Sequence, residues 1–381
     1  MTYESPWMTD DLRHLREMTS TFLAKEAEPH HERWSEQHAV DREFWNKTGE
    51  LGLLCISCPE EYGGGGGTFA HEAVVIEELA RIVEDGFAYG VHSTIVAHYV
   101  NGYASHEQKQ RWLPKLASGE YVGAIAMTEP GTGSDLQAIR TTARRDGDHY
   151  VIDGSKTFIS NGTHCDLLII VARTGDAPGG KGLSLIVAET KDLAGFERGR
   201  VLSKIGQHSQ DTRELAFTDM RVPVTNLIGT SEGLGFVQLM QQLPQERLAI
   251  AVGAVAAAER AVEVTIAYAK ERTAFGKDLM SFQNTRFVLA ECATETLALR
   301  TFVDHCIGEH VAGRLDAATA SMAKYLATDK QCQIIDRCLQ VFGGYGYMTE
   351  YPIARMYAGA RVQKIYGGTN EIMKELISRS L

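Results

Sequence analysis

DHYVIDGSKTFIS at residues 148–160, DLLIIVART at 166–174, GLSLIVAE at 182–189 and RELAFTDMRVP at 213–223 stand apart from the rest of this chain. Val, Ile and Thr crowd these short runs. Turn residues separate them: Asp146-Gly147, Asp153-Gly154, Asn161-Gly162 and Pro178-Gly179-Gly180. β-rich runs bounded by such turns predict antiparallel strands in a small barrel or sandwich. Few helical patterns alternate with them, which argues against a doubly wound sheet. This β texture spans about residues 122–230.

Outward from it, both flanks read as helix. On the N-terminal side, DDLRHLREMTSTFLAKEAEP (10–29) and HEAVVIEELARIVED (71–85) place apolar residues three and four apart. On the C-terminal side, three long segments do the same: ERLAIAVGAVAAAERAVEVTIAYAKER (246–272), FQNTRFVLAECATETLALRTFVDHCIGEH (282–310) and LDAATASMAKYLATDKQCQIIDRCLQVFGG (315–344). Helices this long, joined by short loops, should pack as an antiparallel bundle. The expected fold class is α+β: an N-terminal helical domain over 1–121, a middle antiparallel β barrel or sandwich over 122–230, and a C-terminal four-helix bundle over 231–381. No repeat of 20–50 residues is evident.

With 381 residues and a net charge of −11, the chain is a poor general binder of polyanions, so nucleic acid is not an expected partner. One phosphorylated ligand in a local pocket remains compatible with that charge. The start, MTYESPWMTDDLRHLREM, is acidic and lacks the apolar core of a signal peptide, and no apolar run of about 18 residues predicts a membrane span. A bacterial cytoplasmic location is expected; a trimmed organellar form would read the same. Seven scattered cysteines include one close pair, Cys55 and Cys58, with no second pair at metal-ligand spacing. Small buried thiols in a reduced compartment are the expectation, and no metal site is assigned. The run Gly63–Gly67 lacks a following GK[ST] and reads as a surface loop.

Four stretches carry possible chemistry. MTEPGTGSD (127–135) crowds Thr128, Thr132, Ser134 and Asp135 around Gly131 and Gly133, offering hydroxyls and open backbone N–H groups to a ligand, or forming a turn. KTFISNG (156–162) sets Phe158 beside Ser160 at a strand end, suited to a planar heterocycle. RTAFGKDLMSFQ (272–283) pairs Arg272 with Phe275 and Gln283; Arg272 equally suits a helix end. The stretch QVFGGYGYMTEYPIARMYAGARVQKIYGGTNEIMKEL (340–376) carries Gly343-Gly344 and Gly367-Gly368, which cost stability inside helices. They mark close backbone approach, or helix caps and turns.

In order and spacing these motifs resemble the acyl-CoA dehydrogenases, flavoproteins of fatty-acid and branched-acid oxidation. The resemblance covers nearly the whole chain and is weakest over the first thirty residues. It implies FAD and an acyl-CoA substrate, with electron-transfer flavoprotein as the electron acceptor and a homotetramer holding FAD at subunit interfaces. By motif match, Met127, Thr128, Phe158 and Ser160 would meet the flavin ring. Arg272, Phe275, Gln283, Gln340, Gly343 and Gly344 would reach the dinucleotide of a neighbouring subunit. Thr369 and Glu371 would hold the adenine-pyrophosphate side of the FAD within the subunit, Ser134 would touch both cofactor and acyl-CoA, and Arg247 would lie near the thioester or pantetheine.

One departure bears on mechanism. Dehydrogenation at Cα–Cβ of a thioester needs a base for the α-proton while a hydride leaves Cβ for flavin N5. Most of the family carry that base, a glutamate, directly after a tyrosine in a YEGT-like motif. Here the residues are Tyr366-Gly367-Gly368-Thr369, and glycine takes no proton. Either the chain has lost its base, or the base lies elsewhere. LPQERLAIAV (243–252) offers Glu246, at the place where the long-chain and isovaleryl-type branches carry theirs. On residue type alone Glu246 could instead be a helix N-terminal carboxylate. The resemblance further implies that Gly367 and Gly368 retain backbone contacts to the thioester. The expected function is FAD-dependent α,β-dehydrogenation of an acyl-CoA to the trans-2-enoyl-CoA, with the long-chain branch most similar. The alternatives are a branched-chain dehydrogenase, an oxidase or monooxygenase on the same fold, or a non-catalytic acyl-CoA-binding relative. His92 and His98, in the stretch Ala88–Tyr99 expected to line an acyl channel, read as core or solvated histidines.

Overall fold

The computed structural model describes residues 3–82 and 86–381, so the last three residues of the 71–85 segment lie outside the described residues. The N-terminal helices are α1 (Asp10–Glu26), α2 (His31–Gln37), α3 (Arg42–Glu50), α4 (Phe69–Ile82), α5 (Ala97–Tyr103) and α6 (His106–Ala117). A π-helical turn over Gly90–Val96 runs directly into α5. Local chemistry sets the helix starts. Thr9 Oγ1 caps α1 ahead of Asp10 and Asp11, and Ser105 with Gln108 forms a capping box on α6.

Strands then take over: β1 (Val122–Ala126), β2 (Thr142–Asp146), β3 (His149–Ser160), β4 (Cys165–Arg173), β5 (Leu183–Glu189), β6 (Phe196–Val201), β7 (Thr212–Pro223) and β8 (Leu227–Ile228). Their order in the sheet is β6-β7-β3-β2-β4-β5-β8, with β1 on β4. The sheet is mixed where all-antiparallel pairing was expected: β1 runs parallel to β4, Ala124 opposite Leu168. The chain reaches β4 from β1 only after the β2–β3 hairpin, a connection long enough to reverse direction. Asp153-Gly154, expected as a turn, lies inside β3 at a register shift against β7. A Cβ on Gly154 would sit 2.5 Å from Thr141 Oγ1, so glycine here serves close packing rather than chain reversal.

β4 and β5 are buried on both faces, which is why they read as unbroken apolar runs. Leu167, Ile169, Val171, Leu183, Leu185 and Val187 face the helices and pack with Tyr99, Trp112 and Leu116. Leu168, Ile170, Ala172, Ile186 and Ala188 face the other way, onto Tyr150, Ile152, Leu215 and Phe217.

The C-terminal helices are α7 (Gly235–Glu271), α8 (Gln283–Val311), α9 (Ala317–Phe342), α10 (Pro352–Ala360) and α11 (Asn370–Ser378). A hairpin of β9 (Thr273–Ala274) and β10 (Lys277–Asp278) joins α7 to α8. Ala-rich faces let α7, α8 and α9 approach closely around Ala251, Val255, Leu299, Val303 and Ala323, with Phe69 and Ala73 of α4 against the same core. The short α10 and α11 pack on α9. No helix among the described residues is long and apolar enough to cross a membrane.

Candidate active site

A cavity of about 620 Å³ opens where the β layer, α4, the π-helical turn, α7 and the turn before α11 meet. Residues singled out in the sequence line it, among them Met127, Thr128, Ser134, Phe158, Ser160, Glu246, Arg247, Gly367 and Gly368. They come from four stretches spread over more than 240 positions of sequence.

Glu246 is the twelfth residue of α7, which begins at Gly235, and is 5% exposed. The alternative of a helix N-terminal carboxylate is thereby overturned. About three turns of helix precede it, over residues 235–245, ahead of the segment whose helical spacing is plain in the sequence. Pro244 within this stretch has no N–H to donate to the carbonyl of Met240, which lines the cavity. Burial pushes the Glu246 carboxyl up to about 7, against the opposing pull of Tyr99, Arg247 and His98. The Tyr99 hydroxyl donates to Glu246 Oε1 at 2.8 Å.

Arg247 is as buried as Glu246. Its Nη1 reaches Ser321 Oγ at 3.4 Å, and its Nε finds no partner among the described residues. Burial lowers its proton affinity and the neighbouring Glu246 restores part of it. A buried cation with an unfilled donor beside a cavity suits an oxygen-bearing ligand.

Across the cavity the Tyr366–Gly368 turn faces α7. Gly367 has φ +65° and Gly368 φ +92°, conformations glycine adopts at little cost. A Cβ at 367 would lie 2.4 Å from Ile250 Cδ1, and Ile250 stands one helical turn beyond Glu246. The space a side chain at 367 would need is therefore filled from the helix that carries the carboxylate. Lys324 of α9, fully buried, fastens the turn: its Nζ donates to Gly368 O at 2.7 Å and to Asn370 Oδ1 at 3.0 Å.

The β-layer wall is braced by another buried cation. Lys156 Nζ donates to Glu129 Oε1 at 3.0 Å, Met127 O at 3.0 Å and Val171 O at 2.8 Å. Glu129 in turn accepts the backbone N–H groups of Arg140 and Thr141. Burial lowers the Lys156 ammonium to about 8. Next to this brace β3 loses register against β7 between Lys156 and Ile159. Phe158 emerges there at φ +59° and 67% exposed, an uncommon conformation for a bulky residue. Ser160 Oγ accepts from Gln210 Nε2 at 3.2 Å. A bare aromatic face beside the hydroxyls of Thr128 and Ser160 fits a planar heteroaromatic ring.

The remaining candidates lie away from the cavity. Arg272 caps the end of α7 and stacks on Tyr345, its guanidinium 5.4 Å from the ring centre. Phe275 sits on the β9–β10 hairpin and is 96% exposed, and Gln283 opens α8. Gln340 lies in the last turn of α9, where Gly343 is the C-cap at φ +58°. Nothing lies within 4 Å of a Cβ built on Gly343 or on Gly344, which sits in the 3-10 turn that follows, so within one chain neither is a point of close approach. Thr369 caps α11, accepting from Ile372 N, with Glu371 in the first turn.

The cavity depends on residues to which the sequence alone assigns no individual role: Tyr99, Ile250, Lys324 and Gln210. Each acts through a contact distant in sequence, and only the buried polar character of Tyr99 and Lys324 inside apolar helices was a signal. His92 is a satisfied core histidine, its Nδ1 accepting from Gly123 N at 2.9 Å and its Nε2 3.0 Å from Leu116 O, with burial lowering it to about 4. His98 instead pairs with buried Glu72 at 2.6 Å, which raises it to about 9 despite burial.

Three family models match in succession: acyl-CoA dehydrogenase, N-terminal domain, over residues 9–120; middle domain, over 124–220; and C-terminal domain, over 233–381. The chain is 48% identical over 369 residues to the mitochondrial long-chain specific acyl-CoA dehydrogenase of Sus scrofa, covering 96% of this chain and 85% of that one. It superposes on an acyl-CoA dehydrogenase from Geobacillus kaustophilus with a TM-score of 0.96 at 47% identity, covering 99% of both. A glutaryl-CoA dehydrogenase from Mycobacterium smegmatis in complex with FADH2 matches with a TM-score of 0.91 at 27% identity, covering 98% of this chain and 95% of that one.

Proposed function

The chain belongs to the acyl-CoA dehydrogenase family, FAD-dependent oxidoreductases, and from that premise we propose that it dehydrogenates a straight, long-chain acyl-CoA to the trans-2-enoyl-CoA with Glu246 as the base. The carrying observation is the pairing across the cavity. A buried carboxylate on α7 faces Gly367, and Ile250 fills the room a side chain at 367 would require.

Met127, Thr128, Phe158 and Ser160 would hold the flavin ring of FAD, and Thr369 and Glu371 its adenine side. FAD, when bound, supplies the acceptor for the hydride that leaves Cβ. Glu246 takes the α-proton onto a carboxylate raised to about 7 by burial, which makes it a competent base near neutral pH. The Gly367 N–H makes no hydrogen bond among the described residues and is free to meet the thioester oxygen, where negative charge develops as the proton leaves. Arg247 places a fixed positive charge beside the carboxylate, and Ser134 offers a hydroxyl to the acyl-CoA. Apolar residues of α4 and α7 line the cavity and suit an apolar acyl chain.

Arg272, Phe275, Gln283, Gln340, Gly343 and Gly344 would reach FAD in a neighbouring subunit of a homotetramer. Electron-transfer flavoprotein would take the electrons. Identity to a long-chain relative supports the chain-length reading.

Anaerobic titration of the purified holoenzyme with butyryl-, isovaleryl- and palmitoyl-CoA tests this, following flavin absorbance for wild type and Glu246→Gln. Bleaching of the wild type by palmitoyl-CoA first, with Glu246→Gln staying yellow, is expected. A bleached variant would move the base elsewhere, and a wild type that binds without bleaching would make the chain a lost-base relative.

A further inference from the structure

Tyr99 stands behind the cavity wall. Its side chain is fully buried, and its hydroxyl donates to Glu246 Oε1 at 2.8 Å, while Oε2 makes no hydrogen bond among the described residues. We infer that Tyr99 is a positioning residue for proton abstraction, pinning one carboxylate oxygen of Glu246 from the side away from the cavity and leaving the other for the substrate. This rests on Glu246 being the base.

The contact is built rather than incidental. Tyr99 lies on α5, immediately after the π-helical turn, and wide turns of this kind set the phase of the helix that follows. On one side of the contact, Gln245 Nε2 donates to Thr94 O at 3.0 Å. On the other, Tyr103 OH donates to Gln241 Oε1 at 3.0 Å. The π-helical turn on one side of the Tyr99–Glu246 bond and α5 on the other are thus both stapled to α7, and neither partner can drift without breaking a second bond.

A phenol can donate to a carboxylate oxygen at full strength only while that oxygen is ionised, so the bond favours the form that accepts the α-proton. The other charged groups facing Glu246 are His98 of α5 and Arg247 of α7 itself. His98 is already engaged by Glu72 of α4. Tyr99 is the neutral donor in direct contact, and the one whose removal changes no charge.

The test compares wild-type, Tyr99→Phe and Glu246→Gln holoenzymes. Two quantities are read against pH: the rate of flavin reduction by palmitoyl-CoA, and the infrared carbonyl band of a protonated carboxyl that Glu246→Gln removes. In Tyr99→Phe the band's midpoint should move up by about one pH unit. The reduction rate should stay about tenfold low even on the alkaline plateau, where ionisation is complete, because a carboxylate free to rotate is less often aimed. KM for palmitoyl-CoA should hold within about twofold.

An unmoved midpoint and an unchanged plateau in Tyr99→Phe, with Glu246→Gln inactive, would overturn the positioning role and leave the base in place. An active Glu246→Gln would overturn both. Should Tyr99→Phe fold poorly, difluorotyrosine at position 99 keeps the ring and strengthens the donor. The midpoint should then move down, and a midpoint that stays put overturns the inference.

Discussion

Glu246 and Arg247 are adjacent residues, both 5% exposed, bearing opposite charges at the edge of an apolar cavity. Two buried ions would each be costly alone, and their proximity offsets part of that cost. The residual balance decides the chemistry, because burial outweighs the attraction and leaves the carboxyl near 7. The sign for catalysis follows. A base acts when deprotonated, so flavin reduction by acyl-CoA should rise with pH through about 7 and level off above it. Stopped-flow rates across pH check this, and a rate flat down to about 5 would mean that Glu246 is ionised more easily than its burial allows. For stability the sign is opposite: a carboxyl raised above its unfolded value favours the native state at low pH, and that contribution is lost between the usual carboxylate range and about 7.

Among the elements, the turn before α11 carries the sharpest constraint. Gly367→Ala places a Cβ at φ +65° and against Ile250 Cδ1. The two penalties separate by experiment. Gly367→Ala should destabilise by about 1–3 kcal/mol, and adding Ile250→Ala should return the steric part but not the backbone part. Thermal melts of the two variants decide it; no loss in the single variant would show that the turn can rearrange. β3 is the other element under tension. Its strand propensity was plain from Val151 to Ile159, yet the outward placement of Phe158 arises from a register shift against β7 that no local pattern announces. The buried Lys156–Glu129 pair holds that wall from behind, joining residues 27 apart.

For the molecule as a whole, the helical, β, helical order was legible because each texture has its own period, and the long apolar runs of β4 and β5 marked strands covered on both faces. The cavity sits where the three regions meet, so no one region contains it. The exposed end of the C-terminal helices adds a further expectation. Phe275, at 96% exposed, and Tyr347, at 85%, have little to pack against within one chain. In a lone chain Phe275→Ala would cost within about 0.5 kcal/mol. In a homotetramer that lends Phe275 to a neighbour's FAD, the same substitution should lower flavin retention several-fold with far-UV circular dichroism unchanged. Gel filtration with absorbance at flavin wavelengths checks this, and full retention would detach Phe275 from the cofactor.

Sequence alone carried the element types, their order and the identity of the motif residues, since periodicity and turn chemistry are local properties. It also carried the decisive absence at Gly367, because a residue without a side chain cannot be a base whatever surrounds it. The choice between Glu246 as a capping carboxylate and as a buried one required knowing where α7 begins and what covers it. Burial, and the proton affinity it sets, are properties of everything packed around a group. Tyr99, Ile250 and Lys324 reach their partners across 147, 117 and 44 positions of chain, and only folding brings such residues into contact.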